Sequence, residues 1–183
     1  RPKLILVNGH WNRLLNLVNM SPGKSKYEYW SYFLAHKGMF KTFIKNAKAY
    51  FGDKNYQEEP YYADGSSLFG GDQGGNDRKI KGYKFAMQHI AEITKGVGDK
   101  KVYFISHSEG AAYAAGMAKV VIEKGYKIGE SVMLSADEGD EFTVEGNYPC
   151  YQITAGYVKE EDYLLSYISP IHLSKIKKPK RKF

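Results

Sequence analysis

The chain has 183 residues, 43% hydrophobic and 26% charged, which suits one compact domain whose core needs no covalent staples and excludes a long disordered scaffold. Its apolar runs are only a few residues long, against the roughly 20 that a membrane-crossing helix needs, and its one cysteine, Cys150, excludes an internal disulfide framework. The net charge of +7 is local: Lys175, Lys177, Lys178, Lys180, Arg181 and Lys182 supply six of those seven charges, leaving the rest of the chain nearly neutral.

One domain over residues 1–174 and a basic tail over 175–183 are therefore expected. Such a tail can contact phosphate or an anionic membrane surface, but it reads first as a solvated end, and specific nucleic-acid binding is not expected. The histidines and Cys150 show no zinc-ligand spacing, so no metal or organic cofactor is implied. The sequence opens on Arg1, Pro2 and Lys3 with no initiator Met, leader or cleavage site, and on that reading it is expected to be a piece of a larger protein.

In chain order, short apolar runs at 4–7, 61–63, 102–105, 132–134 and 151–154 predict five buried strands. Helical spacing fills the intervals. Residues 27–51 carry a stripe through Trp30, Phe33, Leu34, Phe40, Phe43, Ile44 and Ala47, with an interruption expected near Gly38. Residues 78–95 repeat the pattern, and 109–124 repeat it with small residues that would let a helix lie close to a sheet. Strands alternating with helices predict an α/β fold: a mostly parallel, doubly wound sheet of about five strands, covered on both faces.

Two irregular stretches follow strands, at 8–26 and 64–77. The second, DGSSLFGGDQGGND, has neither of the phosphate-cradling glycine patterns and is not a nucleotide site, yet it falls where ligands bind in such folds.

Chemistry concentrates in VYFISHSEGAAYAAGM, where an apolar strand ends, Ser106-His107-Ser108-Glu109-Gly110 turns, and an Ala-rich helix begins. This is the pattern of a strand–turn–helix nucleophile elbow. A nucleophile at the tip of a tight turn needs small side chains two positions before and after it; Ser106 and Gly110 meet that need, although Ser106 stands where glycine is usual. Ser108 would sit at the positive end of a helix, with the Glu109 N–H as one oxyanion donor. Gly9, after the first strand, would let the His10 N–H serve as the second. The same five residues also suit an ordinary loop with a serine capping the helix. His107, next to Ser108, reads as packing around the turn.

On these residues the chain resembles an α/β-hydrolase of lipase or esterase type over most of residues 3–172. The segments LILVNGHWN, DGSSLFGGDQGGNDR, VYFISHSEGAAYAAGMA and LSADEGDEF are similar to the hydrolase-like C-terminal domains of RHS-type bacterial polymorphic toxins. The resemblance implies Ser108 as nucleophile with the acid and then the base following it, which leaves His172 as the base among the five histidines. Two acid regions compete: Asp137, with Asp140 near it, and the later group Glu160, Glu161 and Asp162. The toxin-like domains tend to carry a Gly-Asp pair after the last strand, where this chain has Gly156-Tyr157-Val158, and Asp137 is slightly favoured.

An ester substrate is implied, with Trp11, Leu14, Leu15, Leu17, Leu68 and Phe69 as candidate acyl-site residues or ordinary packing. The toxin resemblance implies membrane phospholipid as substrate, an immunity-type protein partner, and secretion or delivery within a larger bacterial protein. The alternative expectation is a catalytically incomplete hydrolase fold that serves as a binding or effector module.

Overall fold

The computed structural model describes residues 1–9, 26–33, 37–52, 59–66, 74–136 and 139–153. Each of the five apolar runs forms a strand: β1 (Lys3–Asn8), β2 (Tyr61–Asp64), β3 (Lys101–His107), β4 (Lys127–Leu134) and β5 (Cys150–Ile153). They make one sheet in the order β2-β1-β3-β4-β5, with every neighbouring pair parallel. Parallel neighbours cannot be joined by a tight turn, so helices carry the chain back across the sheet. These are α1 (Lys26–Phe33), α2 (Lys37–Tyr50), α3 (Gly75–Ile93) and α4 (Gly110–Glu123).

Successive side chains of a strand point to opposite faces, and β1 shows why its sequence is apolar throughout. Leu4 and Leu6 face the layer built by Tyr29, Trp30, Phe40 and Ile44 of α1 and α2. Ile5 and Val7 face the layer built by α3 and α4, with Ala86, Ile93, Ala111, Ala115 and Met117. β3 divides in the same way, with Phe104 in one cluster and Ile105 in the other. Removing a side chain such as Leu6 or Phe104 from water contributes about 1.5–3 kcal/mol.

The helices between β1 and β2 cover one face and the helix between β2 and β3 covers the other, so the winding reverses between β1 and β3. At such a reversal the connections leave the strand tips in opposite directions and open a crevice at the carboxyl ends. The result is a doubly wound α/β fold matching a reduced α/β-hydrolase topology.

α3 and α4 cross at very short range, as the small-residue pattern predicts. A Cβ placed on Gly82 would collide with the Tyr113 carbonyl oxygen, and one on Gly116 with the Lys79 carbonyl oxygen. α4 then stops sharply: Gly125 takes φ +83°, the Tyr126 N–H donates to the Val121 carbonyl at 3.0 Å, and the Gly125 N–H donates to that of Ile122 at 2.9 Å. That is a Schellman cap, which uses glycine's freedom at positive φ.

The interruption expected near Gly38 falls just before it: the stretch is two helices, α1 ending at Phe33 and α2 starting at Lys37, with residues 34–36 outside the described residues. One boundary differs from expectation. α3 starts at Gly75 rather than near Arg78, because the Gly75 N–H donates to a Glu141 carboxylate oxygen at 2.7 Å and the Asp77 and Arg78 N–H groups both donate to the Gly74 carbonyl. A cap supplied from so far along the chain leaves no trace in helical periodicity.

Candidate active site

β3 pairs with β1 through Val7 and Ser106 and with β4 through His107 and Leu134, so the tips of three parallel strands lie together. Ser108 is the first residue beyond β3. Its φ is +53°, in the left-handed region, which costs an L-residue with a side chain roughly 1–2 kcal/mol. Two hydrogen bonds hold it there: the Ser108 N–H donates to the Leu134 carbonyl, and the Ser108 carbonyl accepts from the Ala111 N–H, each at 3.0 Å. Ser108 is half-buried at the head of α4, for which Glu109 is the N-cap residue. Ser108 is therefore not itself the cap.

Close backbone contact fixes the surroundings of this turn. A Cβ on Gly110 would stand 2.5 Å from the Asn8 carbonyl oxygen and 2.7 Å from that of Val7, so α4 can enter against β1 only because residue 110 has no side chain. The position two residues before Ser108 is equally confined: Ser106 is fully buried, and its hydroxyl has no hydrogen-bond partner among the described residues. Gly9 meets the turn from the other side. A Cβ there would stand 2.8 Å from the Ser108 Cβ and 2.8 Å from the His107 carbonyl oxygen. The absence of a side chain at Gly9 and at Gly110 is thus required by specific contacts, and Ser106 is enclosed.

Three polar groupings surround the turn. The Tyr29 hydroxyl and His107 Nδ1 are 2.5 Å apart, and the Gly9 backbone amide also bonds to the Tyr29 oxygen. Burial, opposed by the Gly9 bond and reinforced by the nearby Glu109 charge, pushes the Tyr29 hydroxyl up to about 12, while burial holds the His107 imidazole below its ordinary value. Both shifts favour the neutral forms, so the hydrogen bond joins an uncharged phenol and an uncharged imidazole. His107 also packs against the rings of Tyr29 and Trp30, as expected of a residue that braces the turn.

In the second grouping, Asn8 Nδ2 donates to Asp64 Oδ1 at 2.9 Å and to its neighbour's carbonyl, Gly9 O, at 3.0 Å. Asp64 Oδ1 also accepts from the Ser66 N–H at 3.0 Å and the Ser66 hydroxyl at 2.5 Å. The third is the ion pair of Arg78 Nη2 with Glu109 Oε1, at 2.8 Å, with side chains only 3% and 15% exposed. None of these groupings was a candidate from sequence alone. The Asp64-Gly65-Ser66 run after a strand is the signature of an Asx turn and could have indicated the Asp64 contacts; Tyr29, Asn8 and Arg78 sit inside ordinary helix or strand patterns.

Of the expected site residues, the structure places Ser108 and Glu109 together at the head of α4 and brings Gly9 against them. His10, Asp137, Glu160, Glu161, Asp162 and His172 lie outside the described residues, as do Trp11, Leu14, Leu15, Leu17, Leu68 and Phe69. Asp140, the other carboxylate beside Asp137, is exposed. Among the described residues no group of three or more His, Cys, Asp or Glu side chains could hold a metal ion, and no helix is long and apolar enough to cross a membrane. The sequence matches no protein-family model and no curated relative.

Proposed function

We propose that the protein is a serine hydrolase of esterase or lipase type, with Ser108 as its nucleophile. The observation that carries this reading is the Ser108 turn: a serine at φ +53° on the tip of a central parallel strand, at the head of a helix, with Gly9 of the neighbouring strand tip against its Cβ. Strained backbone of this kind persists only where surrounding packing enforces it, and it gathers at functional sites. The position at the reversal of winding supports the same reading, since that is where doubly wound folds bind ligands.

In the proposed reaction the Ser108 hydroxyl attacks the acyl carbon of an ester while the base, His172, takes its proton. The oxyanion that forms is held by the Glu109 and His10 N–H groups; a donor of this kind contributes on the order of 10²–10³-fold in rate. Collapse breaks the bond to the alcohol, which leaves with the proton from the base. Water then attacks the acyl-serine, and the acid product departs with Ser108 restored. Asp137 or Asp162 orients the base. The likeness of the motifs to RHS-type toxin domains carries the proposal further, to a phospholipid ester as substrate, an anionic membrane surface as contact for the tail, and a neutralising protein as partner.

Ser108→Ala tests the reading. Loss of p-nitrophenyl ester turnover with an unchanged melting profile is expected, together with covalent labelling of the native chain at residue 108 by a fluorophosphonate. A folded native protein that neither turns over the ester nor takes up the probe would favour a binding or effector module built on the same fold.

A further inference from the structure

The Tyr29 hydroxyl joins two parts of the site that the chain itself does not connect. One is the tip of β1, through the Gly9 amide; the other is the residue before Ser108, through His107 Nδ1. Gly9 lies between them, with its Cα facing the Ser108 Cβ and the Tyr29 oxygen at 3.1 Å from where its own Cβ would be. Tyr29 comes from α1, on the opposite face of the sheet from α4, and the residue is only 7% exposed. A buried hydroxyl can be satisfied in many ways, but here it takes its partners from the two strand tips that flank the reversal of winding.

We infer that Tyr29 is a positioning residue, whose hydroxyl holds the β1 tip and the serine turn at the separation the reaction needs. The inference rests on Ser108 being the nucleophile. The phenol oxygen is hydrogen-bonded to His107 Nδ1 and accepts the Gly9 N–H, so one oxygen atom sets the distance between the two segments. Asn8 Nδ2 restrains the same tip from the other side by donating to the Gly9 carbonyl. With both the N–H and the C=O of Gly9 bonded, its backbone has little freedom to rotate away from Ser108. Without the phenol oxygen the Gly9 amide and the imidazole each lose a partner.

Tyr29→Phe keeps the ring against Trp30 and His107 and removes only the oxygen. Displacement of a reacting group by about 1 Å lowers rate on the order of 10²-fold, so kcat for a p-nitrophenyl ester is expected to fall about 10- to 100-fold with KM within about two-fold. Ile44→Val thins the same core layer without touching the turn, and should leave kcat unchanged. Tyr29→Phe combined with His107→Phe should lose no more than the worse single variant, because both remove one connection. An unchanged kcat in Tyr29→Phe, or losses that multiply in the double variant, would overturn the inference. If Tyr29→Phe does not fold, His107→Phe reads the same connection from the imidazole side, and normal turnover there overturns it as well. Fluorophosphonate labelling of the native chain separates the two failures: absence of labelling at Ser108 rejects the hydrolase reading and this inference together, whereas labelling with an indifferent Tyr29→Phe rejects this inference alone.

Discussion

Arg78 and Glu109 form a buried ion pair that ties the first turn of α3 to the residue immediately after Ser108. Removing one partner of such a pair leaves an uncompensated buried charge, which typically destabilises by about 3–5 kcal/mol. Arg78→Leu is expected to lose stability on that scale in urea denaturation, and Arg78→Leu/Glu109→Leu to regain much of it. The same loss in the single and double variants would show that Arg78 acts through packing rather than charge.

The crossing of α3 over α4 makes Gly116 intolerant of any side chain. A methyl group there meets the Lys79 carbonyl oxygen and stands 2.7 Å from the Tyr83 nitrogen, both backbone atoms that cannot rotate aside. Gly116→Ala is expected to destabilise by about 1–3 kcal/mol, the usual range for overpacking. Differential scanning calorimetry would reveal it; an unchanged or raised melting temperature contradicts so close a crossing.

The left-handed backbone of Ser108 implies that stability and the proposed nucleophilic role oppose each other at this position. Glycine adopts that φ without the steric penalty of roughly 1–2 kcal/mol but loses about 0.5–1 kcal/mol through its freer unfolded chain. Ser108→Gly is expected to be about 0.5–1 kcal/mol more stable than the native protein and, on the proposed hydrolase reading, to lose ester turnover. Ser135, at φ +44° on the tip of β4, should respond in the same direction to Ser135→Gly. Chemical denaturation of the two variants checks both, and a destabilised Ser108→Gly would mean that the turn stores no strain.

Acidity should reach the fold through His107. Burial lowers its folded-state value below the ordinary 6.5, so the unfolded chain binds this proton more readily than the folded one. The contribution of this group to stability is therefore complete above pH 6.5 and is lost as pH falls below it towards the lowered value. The stability gap between the native protein and His107→Gln should shrink between pH 7.5 and pH 5.5 in matched urea titrations. A gap that widens on acidification would mean that the imidazole is favoured in its charged form.

The strands were legible because a strand buried on both faces must be apolar at every position: residues 4–7 and 102–105 admit little else. The serine turn was legible for a related reason, since Ser106 and Gly110 are small where the backbone comes closest. What stayed hidden depends on pairs that no periodicity records. Glu141 caps α3 from 66 residues away, Asn8 meets Asp64 across 56, and Tyr29 reaches His107 across 78. Each of these side chains is unremarkable in its own segment and acquires its role only when distant segments meet.

The parallel order of the sheet also governs when the protein can first become competent during synthesis. Among the described strands none pairs with its neighbour through a hairpin, and Lys3 must wait for Val102 before β1 gains its central partner. The Ser108 turn then needs the Leu134 carbonyl in place. A nascent chain halted anywhere before β4 would hold Ser108 on slack backbone, so the left-handed turn takes shape only once four of the five described strands have been made.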